Sequence, residues 1–249
     1  MRNYFIDLLT KEAESNNKIM LMVGDLGFSV TENFKEKYPK QFINAGSIVF
    51  NASRNNCDIK DVINYKCDIS NEEEINNLFL NIDDLDFCIN VAGTNLCETI
   101  ENIDSSEWDR LFDVNLKSFY LICQKALKIM KHKGGGRIVN VSSIAGRNKS
   151  LVSGVHYTAS KYGVIGLTKQ LSKEVAKYNI LVNCLCPSQT KTEMLEASMD
   201  KEQLSKLESS IPIKRIAYTE EQALPILFLC SEGASYITGS CIDANGGQL

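Results

Sequence analysis

Apolar positions along this chain fall into short continuous runs separated by longer stretches of helical spacing. Ile19–Val23, 47–51, 62–67, 85–91, 138–141, 181–186 and 240–243 read as strands. Most are apolar throughout rather than alternating, as strands buried on both faces require. Between them lie helical patterns at 4–14, 29–38, 106–130, 157–178 and 220–230. Ser29 to Glu32 and Ser70 to Glu73 have the spacing of capping boxes. Residues 188–210 are polar and helix-prone, suited to close over a site. Strands alternating with helices, without hairpin signals, predict βαβ units. The fold class expected is α/β: a single doubly wound Rossmann-type domain over 1–249, with a mainly parallel sheet flanked by helices and its site at the carboxyl ends of the strands.

One stretch carries chemistry. Gly136 to Gly146 is a strand-type run ending in Ser142, Ser143 and a glycine; Tyr157, Thr158, Ala159, Ser160 and Lys161 follow eleven residues later. Tyr157 and Lys161 lie one helical turn apart on the same face. A free phenol has a pKa of about 10, and lowering it by roughly 2–3 units takes about 3–4 kcal/mol. A cation some 4–5 Å away supplies about that at an effective dielectric near 20. With Ser143 delivered from a strand end, the three form a candidate proton-transfer site. An exposed helical Tyr/Lys pair is the alternative for the spacing taken alone.

In this context the sequence resembles the short-chain dehydrogenase/reductase family over roughly residues 47–249, in a branch similar to 3-oxoacyl-carrier-protein reductases, which Ile211 to Ile216 and the tail also suit. The resemblance implies a carbonyl reduced to an alcohol, or the reverse, with NAD(P). It makes Tyr157 the acid/base, Ser143 the partner of the substrate oxygen and Lys161 the group that lowers the tyrosine pKa and holds the nicotinamide ribose. Asn115 is implied as the fourth catalytic member, bending a helix and holding a water; a mid-helix Asn bonding backbone is the plainer reading and does not exclude it. Implied cofactor positions are Gly24, Gly27, Asp68, Ile69, Asn90, Ala92, Gly93, Pro187, Thr190 and Thr192, besides Tyr157 and Lys161. Asp68 also suits a helix entry. The tail from Tyr236 implies a homo-oligomer, tetramer or dimer.

Cofactor choice turns on the end of the second strand, where an acid would favour NAD. Here it reads Asn51-Ala-Ser-Arg54, so NADP is expected, with NAD possible; a solvated loop arginine is the alternative for Arg54. The first turn departs from the family's glycine pattern. Gly24 and Gly27 remain, but Phe28 adds bulk and Asp25 places a negative charge where a pyrophosphate would lie. Residues 1–46 resemble instead the start of a transketolase pyrimidine-binding domain. This opening is expected to fill the first strand's place while binding a dinucleotide poorly. A catalytically impaired Rossmann-type protein, acting as an oligomer partner or fusion by-product, is the second reading.

Composition narrows the classes. A net charge of −4 gives no electrostatic reason to expect nucleic acid. The nine cysteines form no C-x-x-C pair and suit buried thiols in a reducing cytoplasm, and two histidines are too few for a metal site. The early apolar run is far short of a membrane span, and no secretory signal is visible.

Overall fold

The computed structural model describes residues 19–23, 48–54, 62–150, 152–191 and 200–249. Its strands are β1 (Ile19–Val23), β2 (Ile48–Ser53), β3 (Val62–Lys66), β4 (Phe87–Asn90), β5 (Gly136–Val141), β6 (Ile180–Pro187) and β7 (Cys241–Ala244). They form one seven-stranded sheet in the order β3-β2-β1-β4-β5-β6-β7, and every pairing is parallel. This is the predicted α/β architecture. The order reverses between β1 and β4, the crevice where ligands settle in open parallel sheets. β1 takes the first strand's central place, pairing Met20 with both Val49 and Phe87.

Both faces are covered. Because side chains alternate along a strand, Ile138, Val182, Cys184 and Cys186 face one core cluster, while Val139, Val141 and Leu185 face another. On the first face pack α1 (Glu72–Phe79), α3 (Ser118–Lys133) and α4 (Val155–Val175), through residues such as Ile75, Phe119 and Val164. On the second lies α6 (Thr219–Cys230), with Ile226 and Leu229. Two further helices, α2 (Ser105–Phe112) and α5 (Lys201–Ser210), complete the described set.

Two local expectations are corrected. The cap of α1 is Asn71, whose side chain accepts from the Glu73 and Glu74 amides, not Ser70. Ser70 instead gives both its amide and its hydroxyl to Asp68 Oδ1, at 2.9 and 2.7 Å. The helix expected over 106–130 is also not continuous. α2 and α3 are joined by a π-helical turn, Asp113–Lys117, in which the inserted residue widens the backbone. The helix expected over 4–14, and that over 29–38 with its capping box from Ser29 to Glu32, lie outside the described residues.

Candidate active site

The carboxyl end of β5 delivers the first group. Ser143 follows the strand in extended conformation and caps a short 3-10 turn, Ile144–Gly146, its Oγ accepting from the Ala145 amide at 3.1 Å. That turn lies directly against α4. A β-carbon on Gly146 would fall 2.6 Å from the Lys161 carbonyl oxygen and 2.6 Å from Ser142 Oγ, so only glycine allows the approach. Ser142, buried beside Ser143, donates its hydroxyl to the same carbonyl at 2.7 Å. Strand end and helix are thereby fixed at the residues that carry the chemistry.

On α4, Tyr157 is half-buried, with Ser143 beside its phenol. Burial pushes the phenol above its ordinary pKa, and the Ser143 hydroxyl only partly offsets this. Lys161 is almost fully buried. Its Nζ donates to the Val141 carbonyl at 3.2 Å and stands 5.6 Å from the centre of the Tyr157 ring. Burial pulls this ammonium from 10.5 to about 8. The charge balance therefore differs from the sequence expectation: desolvation dominates at both groups, and Tyr157 stays protonated near neutrality. A phenol that holds its proton is a donor to an oxygen gaining charge.

Asn115 sits within the π turn, fully buried. Its side-chain carbonyl accepts from the Thr94 amide at 2.7 Å, and its amide donates to the Thr94 carbonyl at 2.9 Å and to Ser160 Oγ at 3.2 Å. Both expectations for this residue meet here: the helix is deformed at Asn115, and the side chain holds backbone. What it holds is the loop leaving β4. On that loop, a β-carbon at Gly93 would lie 3.3 Å from Lys161 Nζ and 3.6 Å from Asn115 Oδ1. The glycine therefore keeps open the space in front of the lysine.

The family model described as enoyl-(acyl carrier protein) reductase matches residues 48–248. The chain belongs to the short-chain dehydrogenase/reductase family. Its members are oxidoreductases of the CH–OH/C=O pair. The chain is 40% identical over 177 residues to the 3-oxoacyl-[acyl-carrier-protein] reductase of Aquifex aeolicus, covering 71% of this chain and 69% of that protein. It superposes on the aldohexose dehydrogenase of Thermoplasma acidophilum with a TM-score of 0.80 at 27% identity, covering 94% of each chain. The 3-oxoacyl-[acyl-carrier protein] reductase of Brucella melitensis gives a TM-score of 0.85 over 95% of this chain and 93% of that one; at 23% identity it speaks for the fold alone. Residues 1–46 lie outside the family match, and none of these likenesses supports the transketolase resemblance expected for them.

In this short-chain dehydrogenase/reductase, the described positions among those expected for a cofactor lie at or after the carboxyl ends of β2, β3, β4 and β6. Arg54 follows β2, exposed, and its charge acts on Asp68, which follows β3. Asp68 is held below its ordinary pKa chiefly by Ser70, and its Oδ2 takes no bond among the described residues. Ile69 and Ala92 are buried, and Pro187 closes β6. Thr190 is buried, its hydroxyl donating to the Ser188 carbonyl at 3.1 Å. The side chain of Asn90 is turned into the core, donating to Asn140 Oδ1 at 2.8 Å across the β4–β5 pair, while Asn140 donates to Thr168 Oγ1 on α4 at 3.0 Å. The Asn90 amide group thus ties β4 to β5. Gly24, Gly27 and Thr192, together with Asp25 and Phe28, lie outside the described residues.

Sequence reasoning missed Ser142, Thr94 and the Val141 carbonyl. A signal for Ser142 existed in the adjacent pair Ser142–Ser143, since alternation gives two neighbouring hydroxyls opposite directions. Among the described residues no His/Cys/Asp/Glu group could hold a metal, and no helix is long and apolar enough to cross a membrane.

Proposed function

We propose that the chain reduces the carbonyl of a 3-oxoacyl thioester to the alcohol, or runs the reverse, with Ser143, Tyr157, Lys161 and Asn115 as its catalytic set and NADP as its cofactor. The observation that carries this is the buried Lys161 ammonium 5.6 Å from the centre of the Tyr157 ring, with Ser143 delivered beside the phenol by the end of β5. The Aquifex likeness supports the substrate class. The residues present fit a dinucleotide: Gly93 leaves the Lys161 ammonium uncovered by a β-carbon, and Asp68 offers an oxygen to an incoming donor. Asp68, Ile69 and Ala92 would take the adenosine end, Arg54 the 2′-phosphate, and Lys161, Pro187, Thr190 and Thr192 the nicotinamide end. When bound, the reduced nicotinamide supplies the hydride.

The chain's own residues handle the proton and the charge. Tyr157 gives its proton to the carbonyl oxygen, and Ser143 donates a second hydrogen bond to that oxygen as charge develops on it. Lys161, charged below about pH 8, stabilises the phenolate left behind. Asn115 positions the loop at Gly93 and Thr94 that faces the lysine. A homo-oligomer, tetramer or dimer, fits the exposed Tyr120 and Tyr162 on α3 and α4. The eight described cysteines, all free thiols, fit a cytoplasmic setting.

A second reading, an impaired Rossmann-type protein, is favoured by one feature of the sequence: the incomplete glycine pattern at 24–29, with Asp25 inside it. Titration with NADPH and NADH, followed by nicotinamide fluorescence, separates the two. Binding, with turnover of an acetoacetyl thioester that exceeds turnover of an aldohexose, supports the reductase. Failure of both cofactors to bind overturns it in favour of the impaired form.

A further inference from the structure

Three thiols meet where β6 and β7 run side by side, and the proposed reaction uses none of them. Cys184 and Cys186 are two residues apart on β6, share a face, and have their sulfurs 4.0 Å apart. β7 brings Cys241 into register with Cys184, so that its sulfur shares their face of the sheet and acts on both neighbours. Adjacent strands stand about 4.8 Å apart, inside the Cα separation of roughly 4.4–6.8 Å that a disulfide bridges.

The three differ in a way that matters chemically. Cys184 and Cys186 are fully buried, whereas Cys241 is partly exposed while its side chain packs towards the α4 side of the sheet. Its two neighbouring thiols, with Lys169 and Arg147 close by, pull the Cys241 thiol below its ordinary pKa. Arg147 is shared with Asp243, at 3.0 and 2.9 Å. Cys184 moves the other way, its proton held by its neighbours and by burial. A reachable sulfur that readily becomes anionic, with a protonated sulfur in register on the adjacent strand, is the arrangement of an oxidisable thiol and its resolving partner.

We infer that Cys241 is a site of oxidation by peroxides, closing a disulfide with Cys184 that staples β7 to β6. The Cys241 thiolate attacks one peroxide oxygen; the O–O bond breaks, hydroxide leaves and a sulfenic acid forms. Cys184 sulfur then attacks the sulfenic sulfur, the S–O bond breaks, and the departing hydroxide takes the Cys184 proton as water. Two thiols lose two electrons and two protons, and hydrogen peroxide becomes two waters. The bridge would lie on the strand that continues into Pro187, beside a lysine whose charge is felt by both β6 thiols.

The test reads sulfur, so it stands apart from the proposed function. The reduced full-length chain is titrated with hydrogen peroxide, alkylated and mapped as non-reduced peptides. A cross-link between the peptides of Cys184 and Cys241 is expected at peroxide doses about tenfold or more below those that oxidise the exposed Cys97, and a dithiol should reverse it. Cys241→Ser should leave Cys184 and Cys186 reduced. Replacing both β6 thiols, Cys184→Ser together with Cys186→Ser, should leave Cys241 as a sulfenic acid captured by a dimedone-type reagent. Prior oxidation of Cys97, or a bridge joining Cys184 to Cys186 in the unaltered chain, overturns the inference. The wild-type map decides even if either variant fails to fold.

Discussion

A β-carbon added to Gly93 would stand 3.3 Å from the Lys161 ammonium nitrogen, closer than most β-carbons ever come to a neighbour. Gly93→Ala should therefore disturb the lysine rather than the fold. Asn115 Oδ1, at 3.6 Å, limits how far the new methyl can shift. We expect turnover to fall by about 10-fold or more, the equivalent of at least about 1.4 kcal/mol, with a urea midpoint close to wild type. A variant as fast as wild type would show that this space plays no part in the reaction.

Tyr157→Phe should remove nearly all activity, a loss of at least about 100-fold for a general acid, while cofactor affinity stays within a few-fold. Direction and pH enter here. Because burial raises the phenol pKa, carbonyl reduction should proceed at neutral pH, whereas alcohol oxidation, which needs the phenolate, should rise as pH increases into the alkaline range. Initial rates in both directions against pH provide the check. An alcohol oxidation rate that peaks below neutrality contradicts the assigned proton.

Lys161→Met should abolish activity and yet stabilise the chain at pH 7. The buried ammonium titrates near 8, against 10.5 when free. Below pH 8 the folded chain bears the cost of burying the charge. Between 8 and 10.5 it sheds a proton that the unfolded chain keeps, so wild-type stability rises with pH. The variant lacks that rise. Its advantage at pH 7 is at most about 3 kcal/mol, less about 1 kcal/mol for the lost bond to Val141, and it should shrink towards pH 10. Urea unfolding of both proteins at the two pH values measures this, and a parallel pH response in the two would refute it.

Arg54→Asp should weaken NADPH by about 1.5–3 kcal/mol, the range for a hydrogen bond to a charged group, and change NADH little. Fluorescence titration with each cofactor reads the difference. Equal losses would make Arg54 a structural partner of the Asp68 region rather than the selector of a phosphate.

Much of this was readable from residue order because parallel strands buried on both faces leave continuous apolar runs; 62–67 and 181–186 were placed within a residue of β3 and β6. The π turn was not readable from the spacing, although the family resemblance implied a bend at Asn115. The apolar spacing of 106–130 passes through Asp113–Lys117 without a break, and a single inserted residue leaves no compositional mark. The side-chain role of Asn90 was hidden for a related reason: it depends on Asn140, fifty residues away and visible only once β4 and β5 are paired. The electrostatics at Tyr157 and Lys161 were legible in partners but not in balance. Spacing gives their proximity, whereas the desolvation that dominates both pKa shifts comes from the packed surroundings.

The position of β1 bears on what its seat demands. It precedes the family-matched stretch, yet it occupies the middle of the sheet between β2 and β4. A parallel ladder is built from peptide groups that every residue except proline carries alike, so the seat requires an extended five-residue segment and little else. A first strand of differing sequence can thus occupy the same seat without loss of the architecture.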